Sequence, residues 1–257
     1  MSHVNTDLPV LLVCDHVRTL SGGRPPVHSP HLVHDCKAQW VYNSGMRPST
    51  ECVWNRGYLW GLAAMSVSFL AVAWLMQGGC LAPLEAAVYL RLSRFITPTA
   101  TAVMKAVSFV GSKYGIVGAI SILLILPVTR RRFGVWLGLN AAASALLNTA
   151  LKHLFARPRP DVLRLVAESG YSFPSGHSMN GAAFWLLTAL ILCGVIPERR
   201  TRRIIFALCL VPPFLIGLSR VYLGVHYGGD VVAGWLAGAF VALCTDEVRS
   251  RVSRRGL

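Results

Sequence analysis

Apolar runs as long as a membrane-spanning helix, or nearly so, limit the fold of this chain more than any other feature. They lie at 58–76, 114–128, 133–151, 179–196, 204–218 and 231–244. A helix needs about 20 residues to cross a bilayer, so the shorter runs should extend into the flanking polar residues. Hydrophobic residues make up 54% of the 257 residues and charged residues only 14%, which excludes an ordinary soluble domain. We therefore predict an all-α integral membrane bundle of six transmembrane helices.

The stretch 83–110, between the first two runs, has a different pattern. Charged side chains interrupt its apolar positions, namely Glu85, Arg91, Arg94 and Lys105. This mixture is typical of an amphipathic helix that lies on the membrane surface. We predict an interfacial helix between spans one and two.

The two ends of the chain are polar. Residues 1–56 are rich in polar residues and lack the apolar stretch of a signal peptide, so they predict a disordered N-terminal extension. Met46 is an alternative start. Residues 57–246 then form the six-span domain, and 247–257 form a basic cytoplasmic tail.

Arginine clusters predict the orientation in the membrane. They follow the second, fourth and sixth runs, at 130–132, 199–203 and 249–255. Six spans place all three clusters on one side, which the positive-inside rule makes cytoplasmic. The formal charge of +14 therefore belongs to membrane loops, and we predict no nucleic-acid partner. The chain is expected in the cell (inner) membrane, with three segments facing outward, namely 77–113, 152–178 and 219–230.

Positive charges in two outward segments go against this trend. These charges are Lys152, Arg157, Arg159, Arg164 and Arg220. Cations on the side that should be poor in them indicate an anionic ligand. Arg157 and Arg164 are interpreted as charges that face solvent or lipid headgroups.

Two histidines and an aspartate accompany these cations. Asp230 follows His226 by four residues, so the two share a face of a helix. A carboxylate next to an imidazole fixes its tautomer and stabilises its charged form. With His177 as a second imidazole, the set suggests phosphoryl transfer, in which one histidine attacks and the other protonates the leaving oxygen.

The sequence before span four predicts an anion site at a helix N-terminus. Pro174 ends the incoming loop, Ser175 is a preferred N-cap residue, and Gly176 lets the backbone approach a ligand. The free N–H groups and the dipole of such a helix start favour an anion. The carboxylates Asp161, Glu168 and Asp230 are scattered, so we predict no metal and no cofactor.

Polar and small residues inside the runs predict contacts between helices. Asn140 and Asn148 lie eight residues apart in span three and should form interhelical hydrogen bonds. Gly234 and Gly238 have the spacing that allows two helices to pack closely.

Three motifs in order resemble a known family. They are KHLFARPRP at 152–160, PSGH at 174–177 and SRVYLGVHYGGD at 219–230. Together they resemble the type 2 phosphatidic acid phosphatase superfamily, which also contains the vanadium haloperoxidases. The motifs cover about 80 residues, and the span layout extends the likeness over roughly 57–246.

The resemblance implies a role for each matching residue. His226 is the nucleophile that forms a phosphohistidine, Asp230 orients it, and His177 protonates the leaving group. The phosphate is bound by Lys152, Arg159, Ser175, Gly176 and Arg220. The implied activity is metal-independent hydrolysis of a lipid phosphomonoester or diphosphate, such as undecaprenyl diphosphate, phosphatidylglycerophosphate or phosphatidic acid.

Three alternatives stay open at this point. A haloperoxidase-like oxidoreductase would be activated by vanadate, whereas a phosphatase would be inhibited. A non-catalytic lipid-phosphate binder or flippase would need the cations but not both histidines. Transfer to an acceptor other than water would release no free phosphate.

Overall fold

The computed structural model describes residues 56–254 of the chain, and this part is helical without strands. Its helices are α1 Arg56–Gln77, α2 Ala82–Ser93, α3 Pro98–Val110, α4 Lys113–Ile125, α5 Val135–Phe155, α6 Gly176–Cys193, α7 Arg199–Tyr222 and α8 Gly228–Arg254. A helical turn at Pro127–Thr129 and a π-helical turn at Arg130–Gly134 lead into α5. The extension predicted for residues 1–56 lies outside the described residues except for Arg56, which begins α1.

The helices confirm an all-α membrane bundle. In the described range, α1, α6, α7, α8 and the run Pro127–Phe155 that includes α5 are each long and apolar enough to cross a membrane. The pair α3 and α4, bent by 51° at their junction, makes a sixth span if counted together. With 13 residues, α4 is only about 20 Å long, which is too short to cross alone. The protein is a multi-pass membrane protein.

The stretch predicted as one amphipathic helix divides into two helices, α2 and α3. The division falls at Thr97 and Pro98, where the Thr97 hydroxyl accepts a hydrogen bond from the Ala100 amide at 3.1 Å. A proline has no N–H and fits the first turn of a helix, so α3 begins here. The prediction of a single helix was therefore wrong. The predicted interfacial position is kept for α2 alone.

Apolar side chains on the outside agree with a lipid environment. Trp60 and Trp74 on α1 are 74% and 73% exposed, although tryptophan is mostly buried in soluble proteins. In contrast, α6 packs against α5, α7 and α8 and carries the largest share of buried residues. The centre of the bundle is thus α6, whose first turn contains His177.

Close packing of α6 against α8 depends on glycine. A Cβ atom at Gly238 would lie 2.3 Å from the Met179 carbonyl oxygen, and one at Gly234 would lie 2.8 Å from the Ser175 carbonyl oxygen. Both distances are too short for a real contact, so the small-residue prediction is confirmed. The close approach brings the first turn of α8, with Asp230, beside the start of α6: the Ser175 amide donates to the Asp230 carbonyl oxygen at 3.0 Å.

Interhelical hydrogen bonds confirm the prediction for the two asparagines of α5. Thr245 on α8 donates to the Asn140 side-chain oxygen at 3.1 Å. Asn148 donates from Nδ2 to Sδ of Met179 on α6 at 3.5 Å. It donates a second bond to the Pro174 carbonyl oxygen at 3.3 Å. The second bond ties α5 to the loop that enters α6.

We expect Gly238→Ala to lower the free energy of unfolding by about 1–3 kcal/mol, because the added methyl group forces α6 and α8 apart. Thermal unfolding in detergent micelles measures the change. Gly118→Ala is the matched control, since no atom lies within 4 Å of a Cβ built there. Equal melting temperatures for the two variants would contradict the prediction.

Candidate active site

The predicted histidines and cations meet at one end of the bundle. Lys152 lies in the last turn of α5, His177 in the first turn of α6, Arg220 in the last turn of α7 and Asp230 in the first turn of α8. His226 lies in the short turn between α7 and α8. The loop 156–175 adds the remaining groups. Residues far apart in the chain thus surround one site.

The His226 ring has two different neighbours. Its Nε2 lies 3.3 Å from Nη1 of Arg159, while Nδ1 lies 3.5 Å from Oδ2 of Asp230. A guanidinium can only donate hydrogen bonds, so Nε2 is the acceptor and the ring proton belongs on Nδ1. The unprotonated nitrogen therefore faces the cations.

Asp230 is a fully buried carboxylate with several donors. Oδ1 accepts from Nη1 of Arg157 at 2.7 Å. Oδ2 accepts from the Tyr227 amide at 2.9 Å and from the Ser172 hydroxyl. Ser172 also lies 3.4 Å from Nδ1 of His226. These contacts fix the carboxylate beside the imidazole.

Burial lowers the pKa of His226 to about 4, although the hydrogen bond and the negative charge of Asp230 act in the opposite direction. A positive ring in this position would lose its hydration and would lie near Arg220 and Arg159. The ring is therefore neutral at physiological pH and keeps a lone pair on Nε2.

Arg159 and Arg220 form the cationic side of the site. Arg159 donates to the carbonyl oxygens of Ser169, Gly170 and Val225 at 2.8–3.0 Å. Arg220, which is only 2% exposed, donates to the Ser108 hydroxyl at 2.5 Å. Backbone and side-chain acceptors thus hold both guanidinium groups in place.

Glu168 is the anion that these guanidinium groups contact. One of its carboxylate oxygens accepts from Arg220, and the other lies 3.8 Å from Arg159. Burial tends to raise the pKa of Glu168, but the charge of Arg220 holds it below the ordinary value. The pocket therefore accommodates an ionised group. Lys152, the third predicted cation, donates to the Tyr171 carbonyl oxygen at 2.6 Å.

The start of α6 differs in one detail from the prediction. Ser175 is the N-cap residue, but its side chain caps no backbone amide, and its hydroxyl accepts instead from Ser178 at 3.0 Å. Gly176 is tightly packed, because a Cβ there would lie 3.0 Å from Oδ1 of Asn148. The need for a glycine at this position is therefore a packing need.

Comparison with known proteins identifies the family. A family model described as the PAP2 superfamily matches residues 133–252. Over 141 residues, the chain is 34% identical to decaprenylphosphoryl-5-phosphoribose phosphatase of Mycobacterium tuberculosis, covering 51% of this chain and 71% of that protein. The chain belongs to the PAP2 superfamily. The resemblance drawn from the three motifs is thereby confirmed.

Two further similarities within the PAP2 superfamily concern Bacillus subtilis. Phosphatidylglycerophosphatase B is 38% identical over 110 residues, which is 42% of this chain and 54% of that protein. The match thus spans about half the length of this relative. The crystal structure of a transmembrane PAP2 type phosphatidylglycerolphosphate phosphatase superposes with a TM-score of 0.68 at 27% identity, covering 75% of this chain and 98% of the other.

Arg157 contradicts its interpretation as a charge facing solvent or headgroups. Its side chain is 13% exposed and pairs with both Asp230 and Glu85. Burial tends to lower the pKa of Arg157, but these two carboxylates raise it above the ordinary value. The interpretation was wrong because a buried aspartate needs a charged partner, and Arg157 lies within reach of it.

Sequence reasoning also missed Glu85, Ser108 and Ser172, which contact Arg157, Arg220 and Asp230. Ser172 lies five residues before His177, so its proximity to the PSGH motif was a usable signal. Glu85 and Ser108 belong to a part of the chain that no PAP2 motif labels. Within residues 56–254, no three His, Cys, Asp or Glu side chains converge to hold a metal ion, and metal independence stays a prediction.

We expect the His226 ring of this PAP2 protein to stay neutral, with its proton on Nδ1, down to a pH of about 4. The ring 15N chemical shifts of histidine-labelled protein report both the charge and the tautomer. The spectrum of His226→Gln assigns the signal. A midpoint near the ordinary value of about 6.5, or a proton on Nε2, would contradict the geometry.

Proposed function

We propose that this chain hydrolyses a phosphomonoester or diphosphate of a membrane lipid through a covalent phosphohistidine at His226. The orientation of that ring carries the proposal: Nε2 points to Arg159, while Nδ1 points to the buried Asp230. A neutral imidazole oriented by a carboxylate and facing cations suits attack on phosphorus. The two relatives described above are both named as phosphatases, which supports the same activity.

In the first step, the lone pair of Nε2 forms a bond to phosphorus as the bond to the leaving oxygen breaks. His177 gives its proton to that oxygen, and Asp230 stabilises the positive charge that develops on His226. The position of His177 in the first turn of α6, close to His226, supports this part.

In the second step, water attacks the phosphohistidine. His177 takes a proton from the water, the phosphorus–nitrogen bond breaks, and Nε2 recovers its lone pair as phosphate leaves. Throughout, Lys152, Arg159 and Arg220 stabilise the equatorial oxygens, assisted by Ser175 and the Gly176 amide. The cations supply the charge that a metal supplies in other phosphatases, so no cofactor takes part in the proposal.

A lipid substrate follows from the position of the site at the ends of spanning helices. A headgroup at that depth reaches the cations while its acyl or prenyl tail stays in the membrane. We propose that this end lies on the outer face of the cell membrane, since the arginine clusters 130–132 and 199–203 lie at the opposite ends of α5 and α7. We propose phosphatidylglycerophosphate, undecaprenyl diphosphate and phosphatidic acid as the panel on which phosphate release is measured.

We expect His226→Ala to lower phosphate release from this panel by roughly 10³-fold or more, because no other group can form the covalent intermediate. His153→Ala is the matched control. The His153 ring is exposed and packs edge-on against the Tyr171 ring. Full turnover by His226→Ala would instead support a binder or flippase.

The proposed orientation predicts that Cys80, which is exposed in the turn before α2, reacts from outside the cell. The measurement is labelling of intact cells with a membrane-impermeant maleimide, in a variant that keeps this cysteine alone. Val128→Cys in a cysteine-free chain is the control, since Val128 is 90% exposed at the opposite, cytoplasmic end. If the impermeant maleimide labels the Val128→Cys control but not Cys80, the orientation in the membrane is the opposite of the proposed one.

A further inference from the structure

A buried cluster of one arginine and two carboxylates lies behind the pair His226 and Asp230. Arg157 donates from Nη1 to Oδ1 of Asp230 at 2.7 Å. The same guanidinium binds Glu85 through Nη2 to Oε2 at 2.6 Å and through Nη1 to Oε1 at 3.2 Å. The function proposed above assigns no part to Glu85 or Arg157.

Glu85 also binds the backbone next to Asp230. Its Oε1 accepts from the Gly229 amide at 3.1 Å, in the first turn of α8. A Cβ at Gly229 would lie 2.7 Å from this oxygen, so only glycine allows the contact. The Tyr227 ring covers the guanidinium of Arg157 at 4.0 Å. One side chain of α2 therefore holds both the arginine and the start of α8.

We propose that Glu85 and Arg157 are positioning residues for the nucleophilic imidazole, acting through Asp230. In this arrangement, α2 is part of the catalytic centre in addition to its predicted place on the membrane surface. The inference rests on the proposed function, because it assumes that His226 attacks phosphorus.

The geometry explains how the two residues act. A guanidinium is planar, and its two bonds to Glu85 fix the orientation of Arg157. The single bond from Nη1 then fixes the position of Oδ1 of Asp230. With Oδ1 held by Arg157, Oδ2 is turned toward Nδ1 of His226. Glu85 binds both terminal nitrogens of the guanidinium, Nη1 and Nη2, which keeps Arg157 beside Asp230. Neither residue contacts the phosphate pocket, so the effect should appear in the chemical step.

Arg157→Gln is the first test. We expect kcat to fall on the order of 10–100-fold, as when groups that orient a functional side chain are removed, with KM within about threefold. Arg157→Lys should recover part of kcat, because an ammonium still pairs with Asp230. Arg164→Gln is the matched control, since Arg164 is exposed and, among the described residues, its hydrogen bond goes to the Pro160 carbonyl oxygen. An unchanged kcat in folded Arg157→Gln would overturn the proposal.

The double variant tests whether Glu85 works through Arg157. Glu85→Gln alone should lower kcat less than Arg157→Gln, with KM again unchanged. Glu85→Gln keeps an oxygen that can accept from the Gly229 amide, so what it removes is the ion pair with Arg157. Once Arg157 is gone, that ion pair no longer exists, so the double variant should be no slower than Arg157→Gln. If the fold losses in kcat of the two single variants multiply in the double variant, Glu85 acts independently of Arg157, and the proposed coupling is overturned.

Two neighbouring glycines give an independent test that leaves every charge in place. Gly229→Ala places a methyl group against Glu85 and should lower kcat, whereas Gly228→Ala has no atom within 4 Å of its Cβ and should not. If Arg157→Gln fails to fold, this pair and Arg157→Lys decide the question. Equal kcat values for the two glycine variants would overturn the proposal.

The same assays separate this inference from the function on which it rests. Rates are measured on the member of the lipid phosphate panel that is hydrolysed fastest. Activity retained in His226→Ala would remove the proposed function and this inference together. Activity lost in His226→Ala but unchanged in the Glu85, Arg157 and Gly229 variants would remove this inference alone.

Discussion

The buried carboxylate of Asp230 is the constraint on which the rest of the site depends. A carboxylate with no exposed surface must be matched by hydrogen-bond donors or by charge, or it takes up a proton instead. Its donors come from separate parts of the chain, namely Arg157 and Ser172 in the loop 156–175 and the Tyr227 amide in the turn before α8. The hydrogen bonds to the Asp230 carboxylate therefore fix the loop 156–175 and the turn before α8 relative to the first turn of α8.

The two guanidinium groups on the cationic side of the site are likewise matched, in their case by hydrogen-bond acceptors. Arg159 is held by three backbone carbonyl oxygens, and Arg220 by the Ser108 hydroxyl and the Glu168 carboxylate. Donors that are already in place need no rearrangement when charge develops on a phosphoryl group. The close approach of α6 and α8 at Gly234 and Gly238 then brings the two sides together, so helix packing decides the geometry of the chemistry.

Much of the fold and most of the candidate site could be predicted from residue patterns. Apolar runs predict spans because a bilayer demands about 20 apolar residues, and outward cations indicate an anion site because they oppose the positive-inside trend. The four-residue spacing of His226 and Asp230 predicted their contact, although His226 lies in the turn before α8 and not on a helix face shared with Asp230. The stretch 83–110 was harder, because its mixed pattern does not show where one helix ends and α3 begins.

The order of residues alone settled which groups are available: the spans, the two histidines, the cations and the aspartate beside His226. Only the tertiary structure decided which charges are matched. Arg157 and Arg164 look alike in sequence, yet Arg157 is partly buried and pairs with two carboxylates, whereas Arg164 is exposed. Glu85 reaches the first turn of α8 across more than a hundred residues, and no local pattern encodes such a pairing. The physical reason is that burial of a charge depends on what packs around it, which the linear spacing of residues does not specify.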